Sequence, residues 1–228
     1  MTKKNNVFSL IATSLLIVAP AAMANTYMGL EFAAGSYNTK VSASDGDDVM
    51  AKEIANDLDT KGSVRIFGGK YLNDNVRVYG YAQQDGELEV TKSVFGDYET
   101  KNSFKGYELG LGADYLYHFN KKFYALAGGS LGYYSSEFKG NWKFYDDEDI
   151  TNIYEFSSGS KQSGLVTNIN LGLGYSFTEK FGMEAGWRLA HYSGNEHKFT
   201  LEDEDGKSID SYDFKQSNQL YLNASYKF

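Results

Sequence analysis

The chain has 228 residues, a formal net charge of −8 and no cysteine, with 42% hydrophobic and 23% charged residues. Its acidity argues against nucleic acid as a partner, and the lack of cysteine excludes both a lipoprotein anchor and a disulfide-stapled secreted domain. The mean hydropathy of −0.46 resembles that of a soluble protein. It leaves a membrane β-barrel open, because a barrel strand crosses with about 10 residues, half of which face inward.

Residues 1–24 have the pattern of a cleaved signal peptide. Lys3 and Lys4 form a basic start, residues 7–18 an apolar run, and Ala22-Met23-Ala24 a small-residue cleavage site. A retained anchor helix is the alternative, but no basic stop-transfer cluster follows the run. Cleavage after Ala24 leaves residues 25–228 as one barrel domain of 204 residues (228 − 24), and losing two lysines takes the net charge from −8 to −10.

Eight segments of alternating polarity follow in chain order, and they predict eight β-strands. The segments are 27–37, 63–72, 75–84, 105–119, 123–135, 164–177, 181–192 and 215–228. Connections two, four and six are tight (73–74, 120–122 and 178–180), whereas the other four are long (38–62, 85–104, 136–163 and 193–214). Short turns on one side and long loops on the other are typical of an outer-membrane barrel.

The two faces of these strands indicate which side meets the membrane. In the fourth segment Tyr107, Leu109 and Leu111 share one face, whereas Glu108 and Asp114 share the other with glycines. An eight-stranded lumen suits the small and charged face, so the apolar face points outward to lipid. A soluble lipocalin-like barrel is the alternative, but it gives no reason for glycine on a solvent face. The prediction is an all-β, eight-stranded, antiparallel, up-and-down transmembrane barrel; the outward face of the fifth segment stays undecided.

Aromatic residues gather where the apolar face meets the tight turns. Rings are favoured at the headgroup level of a membrane, so these positions predict a periplasmic girdle. The predicted girdle comprises Tyr115, Tyr117, Phe119, Phe123, Tyr175, Phe177, Phe181, Tyr226 and Phe228.

The stretches YELGLGADYLYHF, NINLGLGYSF and the ending YLNASYKF carry a family resemblance. The mature chain resembles the small eight-stranded outer-membrane barrels of Gram-negative bacteria, such as the OmpA transmembrane domain, OmpX, Ail and the Opa adhesins. The resemblance implies a location in the outer membrane, with its lipids and lipopolysaccharide as expected partners, and we expect the barrel to be a monomer. It also implies insertion by the barrel-assembly machinery, with the terminal Phe228 as the assembly signal.

Ionisable residues fall on the inward face of several predicted strands. Charges in a narrow lumen must be paired, so we expect a salt-bridge network that plugs the barrel. The alternative is a narrow ion path lined by the same groups, which the small diameter of eight strands disfavours. The expected network comprises Glu31, Arg65, Arg77, Glu108, Asp114, Glu184 and Arg188.

The long connections carry acidic runs at 47–48, 97, 146–149 and 202–205. Such charge keeps loops solvated, and an alternative role is binding divalent cations shared with lipopolysaccharide phosphates. A calcium loop over 201–212 is disfavoured, because Leu201 and Tyr212 stand where carboxylates are needed. We predict no metal site and no cofactor.

Alternation at Glu87–Val90 and Lys139–Phe144 suggests that strands continue beyond the membrane as hairpins. Such hairpins could recruit a host or matrix surface by strand addition, or their aromatic rings could only pack the loops together. The sequence leaves both interpretations open.

One enzymatic alternative rests on residues 188–193, RLAHYS, which resemble the R-x-x-H-x-S stretch of lipid A deacylases. His191 and Ser193 share the apolar face, as a base and nucleophile for ester cleavage would. The acidic partner of that family is missing, since Asn218 or Leu220 takes its place, and Gly194 stands where the family has Asn. We therefore predict a non-enzymatic envelope protein for surface contact, adhesion or envelope stabilisation, with a narrow porin-like channel as the alternative.

Overall fold

The computed structural model describes residues 25–42, 56, 59–94, 98–145, 153–203 and 206–228. Eight strands form a closed antiparallel ring in the order β1-β2-β3-β5-β6-β7-β8-β10, and β10 pairs with β1 to complete it. The predicted eight-stranded barrel is confirmed. The strands are β1 (Thr26–Ser42), β2 (Thr60–Tyr71), β3 (Val76–Asp85), β4 (Leu88–Val94), β5 (Tyr98–His118), β6 (Phe123–Tyr145), β7 (Ile153–Ser176), β8 (Phe181–Tyr192), β9 (Glu196–Asp203) and β10 (Gly206–Lys227).

The three tight turns and both ends of the barrel domain lie at the same end of the ring. Each turn is closed by a side chain that accepts backbone hydrogen bonds: Asn73 from Asn75 at 2.8 Å, and Asn120 from Phe123 at 2.9 Å. Thr178 plays this part in the third turn. Asn and Thr favour such turns for this reason. The backbone N–H of Phe228 donates to the Thr26 carbonyl at this end, which is the periplasmic end of an outer-membrane barrel.

The strands at the opposite end are longer than predicted, and two extra strands occupy regions expected to be loops. β4 pairs with β5, and β9 pairs with β10, above the ring. β5 begins at Tyr98 rather than at residue 105, and β6 continues to Tyr145 rather than ending at residue 135. Of the alternating segments at 87–90 and 139–144, residues 88–90 lie in β4 and residues 139–144 lie in β6. The predicted strand ends differ from the observed ones because the apolar pattern stops at the membrane surface. Backbone pairing between the strands continues beyond that level.

The outer wall of the ring is apolar, and its interior is polar. Leu109, Leu111 and Leu173 are 64%, 73% and 64% exposed on the outer wall, where apolar groups meet hydrocarbon. The undecided face is also assigned, because Leu131 and Tyr133 of β6 point outward whereas Tyr124, Leu126 and Tyr134 are buried inside. The part of the chain that the structure describes contains no helix long and apolar enough to cross a membrane.

Candidate functional site

Seen from the periplasmic end, the lumen first contains an ionic cluster centred on Arg77. Its guanidinium donates to both carboxylate oxygens of Glu184 at 2.6 and 2.8 Å, and its Nε donates to Asp114 at 2.9 Å. Glu184 also accepts hydrogen bonds from the Tyr124 hydroxyl at 2.7 Å and the Asn223 amide at 2.9 Å. Arg77, Asp114 and Glu184 are all buried. Four strands of the ring, β3, β5, β6 and β8, are thereby joined to β10 across the lumen.

A second ionic group lies above the Arg77 cluster. Arg188 donates to both oxygens of Glu31 at 2.7 and 2.8 Å, and Glu31 lies 3.7 Å from the Nε of Arg65. Arg65 continues to Glu108 at 3.7 Å and also donates to the Gln83 side-chain oxygen at 2.6 and 2.9 Å. The structure thus brings all seven predicted inward residues into the lumen and places each next to an opposite charge.

The outermost members of this group were not predicted from the sequence. Lys61 forms ion pairs with Asp85 at 3.1 Å and Glu108 at 3.5 Å, and its ammonium group donates to the Tyr192 hydroxyl. Tyr192 in turn donates to Glu108 at 2.7 Å, and Tyr37 donates to Asp85 at 2.9 Å. Lys61 and Asp85 lie in or beside regions that we assigned to loops. Only the alternation continuing through residues 60–65 and 83–85 could have shown that they face inward.

Tyrosine rings fill the space between the charges. Tyr79 lies against Gly112, where an added Cβ would stand 2.4 Å from the ring, and Tyr124 lies against Gly174, where that distance would be 2.1 Å. The guanidinium of Arg65 stacks 4.0 Å from the centre of the Tyr81 ring, a cation–π geometry. In both cases the glycine and the tyrosine are paired on neighbouring strands. The glycines of the inward face therefore make room for large side chains from the strand beside them.

The outer mouth of the barrel is closed by an aromatic cluster. Phe104 stacks on Phe214 with ring centres 4.4 Å apart, and Phe138 stacks on Tyr212 at 5.1 Å. We call this group the outer cluster, and its buried members are Tyr37, Phe104, Tyr134, Phe138, Val166, Ala190, Tyr192, Tyr212 and Phe214. It lies directly above the ionic groups, since Tyr37 and Tyr192 belong to both.

His197 of β9 is buried against this outer cluster, outside the apolar band. Its Nδ1 donates to the Ser160 carbonyl at 3.1 Å, and its Nε2 lies 3.1 Å from the Ser136 hydroxyl. Burial disfavours the protonated ring and lowers the pKa of His197 to about 4. The ring is therefore neutral at physiological pH and joins β9 to β6 and β7.

The space left inside the barrel differs sharply between the two levels. The mid-lumen cavity, lined by Glu31, Arg77, Glu184 and Arg188 among others, has a volume of about 20 Å³, enough for roughly one water molecule. A vestibule of about 670 Å³ opens below it at the periplasmic end, lined by Tyr71, His118, Lys180 and the turn residues. The Arg77 cluster forms the floor between them.

A sequence model of one protein family matches almost the whole chain. Residues 8–228 match the model described as the outer membrane protein beta-barrel domain. The chain belongs to this family. The protein is therefore an outer-membrane β-barrel, as the sequence predicts. No curated protein sequence matches the chain.

Solved structures of other outer-membrane barrels share the fold. Neisserial surface protein A has 17% identity and a TM-score of 0.51, covering 90% of this chain and 98% of its own. OprG from Pseudomonas aeruginosa has 14% identity and a TM-score of 0.50, covering 90% and 97%. Ail of Yersinia pestis, solved with the heparin analogue sucrose octasulfate, has 15% identity and a TM-score of 0.42, covering 89% and 97%. At such identities the likeness concerns the fold alone.

The residues predicted for the girdle of this family member lie on the outer wall near the tight turns. Neighbouring rings contact each other: Phe123 and Tyr175 have centres 4.6 Å apart, Tyr175 and Phe177 4.8 Å, and Tyr226 and Phe228 5.4 Å. Eight of the nine predicted rings are at least 40% exposed, and Tyr175 is half-buried by its neighbours. Their arrangement matches a headgroup-level band, and that role stays a prediction.

The two residues of the esterase alternative lie at the outer end of β8. His191 pairs with Thr167 of β7 and Gln216 of β10, and Asn218 stands opposite Leu189. Ser193 follows the strand, where its carbonyl accepts a hydrogen bond from Tyr134. The register thus pairs His191 with two residues that carry no carboxylate, whereas a triad requires an acid that orients the imidazole.

Acidic residues of the loop tips fall largely outside the described part of the chain. Positions 47–48, 97, 146–149 and 204–205 are among them, and nothing is described of the side chains at 202 and 203. Among the described residues, no group of three or more His, Asp and Glu side chains is arranged to hold a metal ion.

Proposed function

We propose that this protein is a closed, non-enzymatic barrel that anchors an extended β-structure on the cell surface for contact with external surfaces and for stabilising the envelope. The observation that carries the proposal is the filled lumen. Two ionic groups and the outer cluster occupy it, and the cavity that the Arg77 and Arg188 side chains line at mid-height has a volume of about 20 Å³. A barrel filled in this way supports anchoring rather than transport.

The extension above the membrane supports the contact role. Residues 134–145 of β6 continue beyond the outward apolar residues Leu131 and Tyr133, which at about 3.4 Å per residue is roughly 40 Å along the strand. β5 and β7 accompany it over this length. Among the residues that the structure describes, β4 pairs with β5 alone, so β4 offers an edge for strand addition by a partner.

A narrow channel is the second candidate, and the periplasmic vestibule favours it. An open space of about 670 Å³ leads from that end up to the Arg77 cluster. Displacement of the Arg77 side chain would connect the vestibule with the groups above it. Conductance of the purified protein in a planar bilayer therefore separates the two candidates.

The contact role is tested by shortening one hairpin. In the variant, residues 88–103 are replaced by a two-residue Asn-Gly turn, which removes β4 and the facing part of β5 but keeps the β3–β5 pairing at Val76–Gln84. Bacteria expressing either form are applied to wells coated with collagen, fibronectin or albumin, and heat-modifiable electrophoresis checks that the variant folds.

We expect the full-length protein to increase attachment to at least one matrix coating over albumin, and the shortened variant to reduce that attachment to the albumin level. Equal attachment of both forms and of cells without the protein would overturn the contact role.

A further inference from the structure

Three lysines surround one glutamate on the outer wall, just above the membrane-facing surface. Lys105 of β5, Glu137 of β6 and Lys161 of β7 stand in register on three adjacent strands, and Lys139 follows two residues after Glu137. The lysine Nζ atoms lie 2.9, 3.4 and 3.5 Å from the Glu137 carboxylate for Lys105, Lys161 and Lys139. We call these four residues the lysine cluster.

The position of the lysine cluster relative to the apolar wall is fixed by strand register. Leu109, Tyr133 and Leu165 form the last broad apolar row, with exposures of 64%, 55% and 56%. Lys105, Glu137 and Lys161 lie four residues further along the same strands, about 13 Å along a strand at about 3.3 Å per residue. Strand tilt reduces this to about 10 Å above the row, which is the headgroup level of the outer leaflet.

The charge of the lysine cluster is unbalanced. Three ammonium groups share one carboxylate, and the hydrogen bond from Lys105, with the charges of Lys139 and Lys161, lowers the pKa of Glu137 to about 2. Glu137 is therefore ionised, and the four residues of the cluster have a net charge of +2 within a chain of net charge −8. Glu87, whose charge also acts on Lys105, reduces the local excess to +1. Each ammonium has three donors, and Lys139 and Lys161 are 51% and 77% exposed.

Other lysine–carboxylate pairs described in the extension are balanced. Lys101 pairs with Glu89 at 3.2 Å, Lys198 with Glu196 at 3.3 Å, and Lys215 with Asp213 at 2.8 Å. They lie on the same extended structure and have comparable exposure. The excess of positive charge is thus a feature of the β5–β6–β7 wall at one height.

We propose that the lysine cluster binds a phosphate group of the phosphorylated glycolipid that forms the outer leaflet. Glu137 holds the three ammonium groups together, which lowers the entropy lost when they converge on a phosphate. Lysine donates charge-assisted hydrogen bonds to phosphate oxygens. The apolar row below, Leu109, Tyr133 and Leu165, contacts the acyl chains of the same lipid. A soluble anion makes only the first of these contacts, so the site selects the lipid.

The test compares three forms of the refolded protein in detergent micelles by titration calorimetry. They are the wild type, the triple variant K105Q/K139Q/K161Q, and the control K101Q/K198Q/K215Q, which removes the same number of charges from balanced pairs. The probes are bis-phosphorylated lipid A, the same lipid after dephosphorylation, and inorganic phosphate. Heat-modifiable electrophoresis verifies folding of each form.

We expect the wild type and the control to bind bis-phosphorylated lipid A at least about tenfold more tightly than the dephosphorylated lipid, a difference of about 1.4 kcal/mol. The triple variant loses this difference. Equal binding of the two lipids by the wild type, an unchanged preference in the triple variant, or binding of inorganic phosphate as tightly as lipid A overturns the proposal. These outcomes are independent of whether the lumen conducts, because the lysine cluster is on the outer wall.

Discussion

Arg77 and Glu184 are joined across the lumen by two parallel hydrogen bonds of 2.6 and 2.8 Å, from β3 to β8 on the far side of the ring. Both side chains are buried, and Asp114 and Tyr124 supply further bonds to the pair. A buried pair of this kind contributes little over an apolar core while intact, but the loss of one member leaves an uncompensated charge. The barrel wall and its plug are therefore expected to be energetically coupled.

Removing Arg77 should destabilise the barrel strongly. In Arg77→Ala, Glu184 and Asp114 lose their cation, and we expect the free energy of unfolding to fall by about 3–5 kcal/mol. Arg188→Ala should lower the free energy of unfolding by less, because Glu31 still has the Arg65 guanidinium 3.7 Å away. Urea titration in lipid vesicles measures both. Lys101→Ala, which breaks the exposed pair with Glu89, serves as the control and should cost less than about 1 kcal/mol. An Arg77→Ala barrel as stable as this control would contradict the coupling.

A single methyl group inside the lumen should also be poorly tolerated. In Gly174→Ala the new Cβ would stand 2.1 Å from the Tyr124 ring, which is held by its bond to Glu184. We expect a loss of about 1–3 kcal/mol from overpacking. Gly159→Ala on the same strand is the matched control, because its Cβ would approach other atoms only to 3.7 Å. Equal stability of the two variants in urea titration would show that the lumen is less filled than described.

The outer cluster should weaken in acid through His197. Its pKa is about 4 when buried and about 6.5 when unfolded. As the pH falls, the unfolded state therefore takes up a proton before the folded state does. The contribution of neutral His197 to the free energy of unfolding is fully present above pH 6.5 and is lost as the pH drops from 6.5 to 4. The expected loss is on the order of 3 kcal/mol.

Limited proteolysis of the β9–β10 region at pH 7.5 and pH 4.5 measures this effect. Cleavage should increase at pH 4.5 in the wild type and in His191→Asn, whose substituted residue is exposed. In His197→Asn the increase in cleavage between pH 7.5 and pH 4.5 should disappear. A wild type that resists cleavage equally at both pH values would show that His197 protonation does not open the cluster.

Lipid A should remain unmodified by this protein. His191 is paired with Thr167 and Gln216, and neither side chain is a carboxylate. A histidine base without an orienting acid does not activate serine efficiently. Mass spectrometry of lipid A from cells with and without expression should therefore give the same number of acyl chains. Loss of a chain with the wild type, but not with Ser193→Ala, would establish the esterase.

The ring itself was predictable because a period-two pattern determines which residues point outward. Leu109, Leu111 and Glu108 alone are enough to orient β5, since a one-residue shift would place every leucine in the lumen. The seven inward ionisable residues follow from the same parity. The pairing of these seven residues into salt bridges does not follow from parity, because it depends on which strands face each other across the closed ring.

Two parts of the site could not be predicted from the sequence. Tyr124 follows Phe123 on a strand whose two faces differ little in polarity, so polarity alone does not distinguish a lumen-filling tyrosine from a lipid-facing one there. Lys61 and Lys105 stand near predicted strand ends, where the apolar pattern stops but pairing continues. The Lys61 pairs and the lysine cluster therefore become visible only with the register of the extension.

Single-channel recording in planar bilayers tests the closed lumen most directly. The refolded wild type should give no openings, whereas the double variant R77A/R188A, which removes two cations from opposite levels of the plug, should give measurable openings if it remains folded by heat-modifiable electrophoresis. Reproducible openings of fixed conductance from the wild type would contradict the closed barrel and establish the channel instead.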